Sequence, residues 1–224
     1  MASRSRFSIL WLDSHIGKLN QYSQLKSRFQ QDMAPAVPNF STPPNPIDQM
    51  ICCVQVHAAP FEFASNVPDM LELIEPRSHD DTKLIIISSG SLGREIIPII
   101  RERGWPIHSY YIFCLNTVGY VEWALDLMDA GLDIQMFDFE LDLLIRLARD
   151  LSDKIIEQGK AELDDNPKAA LSYFECARTL AETAVERDTP SDPTDPHRPS
   201  TTHRRILDGE DGLIARAKRA CGGH

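Results

Sequence analysis

Residues 83–114 constrain the fold more tightly than any other stretch of this chain. Two short apolar runs, Lys83 to Ser88 and Ser109 to Cys114, are rich in β-branched and aromatic side chains with no polar alternation. That is the pattern of strands buried on both faces. Between them lies one helix length that opens at serines 89 and 91 and stops at Gly104, where a serine cap and a glycine stop are expected. Two parallel strands joined by a helix imply an open α/β sheet, and such sheets meet their ligands at the carboxyl ends of the strands.

The same reading extends in both directions. Phe7–Leu12 is expected to be the first strand, ending in Asp13. Residues 14–31 carry Ile16, Leu19, Leu25 and Phe29 at helical spacing, and the prolines between 33 and 48 mark a loop. Residues 51–56 (Ile51 to Val56) read as a second strand, and residues 61–75 include a short helix capped by Asn66 with Pro68 in its first turn. After the fourth strand, Asn116 and Thr117 are expected to cap an apolar helix through Val121, Trp123, Leu125 and Met128, ending at Gly131. Ile134–Phe137 is the fifth strand, and a last helix from Phe139 carries Leu144, Leu147, Leu151 and Ile155. The expected architecture is a doubly wound, flavodoxin-like α/β domain over residues 1–150 with a five-stranded parallel sheet.

Residues 151–221 read differently, as a helical module. Two helices over 152–186 break at Asp164 to Pro167, because proline suits a first turn and not a helix interior. Prolines at 190, 193, 196 and 199 make 188–202 an extended spacer. A third helix is expected over 203–220, weakened by about 1 kcal/mol at each of Gly209 and Gly212.

Bulk properties bound the function. A formal charge of −10 on 224 residues argues against nucleic-acid binding, which needs a cationic footprint. No apolar run approaches 18 residues, so membrane insertion is not expected. The five cysteines show neither C-x-x-C pairing nor metal spacing; Cys52 and Cys53 read as strand thiols of a reducing, cytoplasmic compartment. No metal and no cofactor is expected.

The strand ends carry Asp13, Ser88, Ser89, Cys114 and Asp138. The element order resembles that of receiver domains of two-component signalling, whose likeness implies an acid at the first strand end, a phosphoacceptor aspartate at the third and a lysine at the fifth. Here those places hold Asp13, Ser88 and Phe137. A serine cannot form the acyl phosphate, and no second acid helps Asp13 hold magnesium. The loop Ser88-Ser89-Gly90-Ser91-Leu92-Gly93 precedes a helix N-terminus able to favour an anion, yet lacks the lysine of a P-loop and the G-x-G-x-x-G spacing. A tight strand-to-helix turn that uses glycine for its geometry is the simpler explanation. Asp13, Ser88, Ser89, Gly90 and Arg94 are therefore taken as a vestigial ligand pocket.

The run Ile87 to Pro98, with Tyr111 to Cys114, is similar to the receiver-like N-terminal region of some invertebrate multidomain proteins that continue into ADP-ribosyltransferase or tetratricopeptide regions. The resemblance implies an accessory or regulatory module; the transferase's Glu-x-Glu signature is absent from this chain. Glu95 invites comparison with the catalytic glutamate of TIR-domain NAD hydrolases, although its spacing is shorter and the usual tryptophan-cysteine pair is missing. Pairing with Arg94 or Arg101 on a helix surface is the simpler use of that side chain.

In the helical module, Gly159, Ala161, Asn166-Pro167, Tyr173-Phe174 and Leu180 resemble a tetratricopeptide or MIT helical pair, and Leu213 to Arg219 resembles the closing helix of MIT domains. That likeness implies a groove for amphipathic helical peptides of the ESCRT-III type, with Phe174, Leu213, Arg216 and Ala217 as its residues. The sequence thus points to a non-catalytic protein-interaction and regulatory protein, with an NAD-processing enzyme using Glu95 as the alternative.

Overall fold

The computed structural model describes residues 7–14, 46–188 and 200–222, with side chains in the last segment from residue 203. The expected helix over 14–31, most of the proline loop, and the spacer from 189 to 199 lie outside the described residues. The chain divides into two compact units, an α/β unit within Ser5–Gln49 and Pro60–Leu143 and a helical unit within Met50–Ala59 and Leu144–His224.

The α/β unit is the expected doubly wound sheet. Its strands are β1 (Phe7–Leu12), β2 (Phe61–Ala64), β3 (Lys83–Ser89), β4 (Ser109–Phe113) and β5 (Ile134–Phe137). All pair in parallel in the order β2-β1-β3-β4-β5. The helices α2 (Val67–Ile74), α3 (Gly90–Glu102) and α4 (Val121–Asp129) follow β2, β3 and β4. Strand residues of even number, including Leu10, Leu84, Ile86 and Ile112, form one core with Met70 and Ile74 of α2, Ile96, Ile97 and Ile100 of α3, and Ala124 and Leu127 of α4. Residues of odd number, such as Ile9, Trp11, Ile85 and Ile87, are buried as well. Burial on both sides is why these strands are continuously apolar rather than alternating. Each fully buried isoleucine contributes roughly 1.5–3 kcal/mol relative to exposure.

Local signals set most boundaries. The Asn66 side chain accepts from the Asp69 amide at 2.9 Å, with proline in the first turn of α2. Ser89 caps α3 by accepting from the Leu92 amide at 3.4 Å. Gly104 and Gly131 end their helices at φ values of +65° and +85°, a region that suits a residue without Cβ.

Three expectations are corrected. The stretch expected as a strand at 51–56 is helical, within α1 (Pro46–His57). Its buried positions, Asp48, Met50, Ile51 and Val54, follow a helical rather than a two-residue period, while Cys52 and Val56 are exposed. Pro46 at the start and Asp48 in the first turn suit a helix N-terminus. The second strand is instead Phe61–Ala64, at the front of the stretch expected to include a short helix; Phe63 stacks on both Trp11 and Phe61 across β1 and β2. Lastly, the single helix expected over 203–220 is two, α7 (Ser200–Leu207) and α8 (Leu213–Gly222). Gly209 at φ +101° turns the chain, and a Cβ on Gly212 would lie 2.5 Å from the Leu207 carbonyl oxygen. The glycines break the helix rather than merely weakening it.

The last helix from Phe139 and the first of the helical module form one, α5 (Glu140–Glu162), which runs through residue 150. α6 (Pro167–Arg187) follows, its N-cap Asn166 accepting from the Ala169 amide. A Cβ on Gly159 would stand 2.5 Å from the Phe174 ring, so glycine lets α5 and α6 approach there. Ser152 donates to the Ala177 carbonyl at 2.8 Å across the same contact, and His203 of α7 lies 2.9 Å from Asp153 of α5.

Candidate functional site

The parallel topology gathers the ends of β1, β3, β4 and β5 at one edge of the sheet. Leu12 is in register with Ser88, and Ser89 with Phe113. Asp13 is buried, its amide donating to the Ala64 carbonyl at 3.0 Å. Ser88 is fully buried, and its hydroxyl has no hydrogen-bond partner among the described residues. A Cβ added at Gly93 would come to 3.0 Å from that hydroxyl oxygen, which places Ser88 beneath the first turn of α3 and out of reach of solvent. The hydroxyl at the position the receiver resemblance assigns to a phosphoacceptor is thus enclosed.

The turn above it is also filled. A Cβ on Gly90 would stand 2.7 Å from the Tyr120 ring, so glycine here serves the close approach of an aromatic side chain. The Arg94 guanidinium lies 4.2 Å from the centre of that ring and 5.6 Å from the centre of the Trp123 ring, and donates to the Gly119 carbonyl at 2.8 Å. A cation over two aromatic faces ties α3 to the loop after β4. Ser89 is occupied as the helix cap. The pocket residues Ser88, Ser89, Gly90 and Arg94 are therefore brought together by the fold, with the Tyr120 ring packed against Gly90.

Glu95 is exposed on the outer face of α3. Cys114 is buried, and desolvation, with a smaller push from the Asp138 carboxylate, raises its thiol so that it stays protonated at neutral pH. Among the described residues, no three His, Cys, Asp or Glu side chains stand together as a metal centre. A shallow depression lies at the opposite edge of the sheet, lined by Ile100, Gly104, Trp105, His108 and Asp133. That is the edge where strands begin, which open α/β sheets seldom use for ligands.

The groove residues proposed for the helical unit separate by burial. Phe174, Leu213 and Ala217 belong to the bundle interior, and Arg216 is exposed on α8. Of the four, Arg216 alone is open to a peptide on the surface of the bundle.

The surface that sequence reasoning missed lies on α4. Leu115, Val118 and Phe139 are 87%, 80% and 65% exposed, and Val121, Leu125 and Met128 add a stripe on the helix itself. Val121, Leu125 and Met128 are separated by four and three residues, one face of a helix. The Cys114 amide donates to the Phe137 carbonyl at 2.8 Å, so the chain segments leading to Leu115 and Phe139 leave the sheet side by side. The signal was present: Ala124 and Leu127 supply the core face of α4, yet further apolar residues occupy a second face. A helix apolar on two faces has two partners to satisfy.

No protein-family model, curated protein or solved structure matches this chain. The chain forms a five-stranded parallel α/β sheet with flanking helices, in the flavodoxin-like order β2-β1-β3-β4-β5, followed by C-terminal helices. No helix among the described residues is long and apolar enough to cross a membrane.

Proposed function

We propose that this chain is a non-catalytic binding or regulatory protein of the cytoplasm, in which a receiver-like domain without phosphoacceptor chemistry is coupled to an MIT- or tetratricopeptide-like helical module. The observation that carries this reading is the exposed apolar stripe of α4 with Val118 and Leu115 beside it. A cluster of exposed large apolar side chains marks an interaction surface, where isolated ones do not. The sheet edge supports the same reading from the other side. Ser88 is enclosed without a partner, and Tyr120 with Arg94 fills the turn over it. Partner affinity then comes from apolar anchors rather than from bond-making.

Incubation of the purified protein with NAD tests this against the enzyme alternative. Nicotinamide release is expected to stay at the background rate and to be unchanged in Glu95→Ala. Turnover that Glu95→Ala abolishes overturns the reading. Exposure to acetyl phosphate with magnesium is expected to add no phosphoryl mass.

A further inference from the structure

The charge around the α4 stripe identifies the kind of partner. Residues 115–142 contain seven acids and no lysine, arginine or histidine. Three of the acids, Glu122, Asp126 and Asp129, are exposed on α4 itself and follow Val121, Leu125 and Met128 at an offset of one residue. At about 100° per residue, that offset lays an acidic band along one side of the apolar stripe, while Ala124 and Leu127 turn to the core on its other side. The band works against the helix that bears it. Glu122 and Asp126 are like charges at i,i+4, and Asp129 stands in a last turn that contains no base, where a carboxylate meets the negative end of the helix dipole. Both effects are relieved by a cation laid alongside.

We infer that the α4 face docks a basic amphipathic helix, its apolar side on Val118, Val121, Leu125 and Met128 and its lysines or arginines along Glu122, Asp126 and Asp129. This rests on the interaction reading above and gives it a partner chemistry. Other occupants fit less well. A second copy of this chain, paired through the same face, sets acid against acid. An anionic lipid surface and a nucleic acid are repelled by the same band. A cationic helix satisfies the stripe and the band together, in the helix-to-surface mode that places anchors at i, i+4 and i+7.

The test titrates the full chain with an amphipathic leucine/lysine peptide of about 18 residues and with its leucine/glutamate counterpart, by calorimetry at low and high salt. The leucine/lysine peptide is expected to bind about tenfold more tightly or better, the sum of three exposed charge pairs, and to lose most of that advantage at high salt. L125S/M128S is expected to weaken it at least tenfold. E122Q/D126N/D129N keeps the stripe, and is expected to weaken it several-fold and remove the salt dependence. All these positions are exposed, so melting midpoints of the variants stay near the parent's. Equal binding of the two peptides, tighter binding of the leucine/glutamate peptide, or indifference to both variants overturns the inference. If the leucine/glutamate peptide binds through Leu125, the basic partner falls while the interaction reading stands. Absence of binding by either peptide, with NAD turnover dependent on Glu95, removes both.

Discussion

Helices α4 and α6 are both amphipathic, and they dispose of their apolar residues in opposite ways. α6 buries Ala170, Phe174, Ala177, Leu180, Ala181 and Ala184, with Gly159 of α5 admitting the Phe174 ring. α4 buries only Ala124 and Leu127 and leaves Val121, Leu125 and Met128 in solvent. On β3 the inversion is completed by Ser88, a hydroxyl held inside without a partner among the described residues. Apolar content therefore does not measure what a helix contributes to the core. In α6 it holds the bundle, and in α4 it is surface kept available.

The difference is sharpest in truncation. Phe174→Ala is expected to cost about 3–5 kcal/mol, since it empties a fully buried ring site, and chemical denaturation reads this directly. A loss under about 1 kcal/mol would mean that the α5–α6 contact is not a packed core. Gly159→Ala is expected to cost about 1–3 kcal/mol by driving a methyl group into that ring. Combined with Phe174→Leu, its penalty shrinks, and the non-additivity in a double-mutant cycle checks that the two side chains share one space.

Within the α/β unit the signs reverse. Ser88→Ala is expected to raise stability by about 1 kcal/mol, because it removes a buried hydroxyl that nothing satisfies. A loss on the same assay would reveal a partner for that hydroxyl and reopen the sheet edge as a site. Weaker still is the pair between α5 and α7. The hydrogen bond from His203, its main cause, holds the Asp153 carboxyl below the usual carboxylate range. A depressed carboxyl favours the folded state fully above pH of about 4 and ceases to as pH falls through its folded value. Asp153 is largely exposed, so Asp153→Asn is expected to cost less than about 1 kcal/mol at pH 7 and nothing at pH 2, by denaturant titration at both. Smallest is Leu125→Ser, expected within about 0.5 kcal/mol of the parent despite removing a leucine from a helix. A loss of several times that would place Leu125 in a core and end its role as surface.

Much of the architecture was legible one segment at a time. The β3–α3–β4 unit, the caps at Asn66 and Ser89, the helix start at Pro167, and the stops at Gly104 and Gly131 follow from period, capping chemistry, proline geometry and left-handed backbone, all properties of a few neighbouring residues. Residues 51–56 misled because two adjacent cysteines and two valines carry β character, while the helical period shows only when Asp48 and Met50 are read with them. Phe61 and Phe63 lay too close to the Asn66 cap to stand out as a strand, and it is their parallel pairing with Ile9 and Trp11 of β1 that makes them one.

By itself, then, the chain dictated that a parallel sheet would form, where the helices capped at Asn66 and Ser89 begin and those stopped at Gly104 and Gly131 end, and that Ser88 could not serve as an acyl-phosphate acceptor. Those are consequences of local sterics and side-chain chemistry. Only the tertiary structure decided that Ser88 is enclosed, that Tyr120 and Arg94 fill the turn over it, and that the α4 stripe faces solvent while Phe174 does not. A side chain's burial depends on what distant segments bring against it, and no local pattern contains that information.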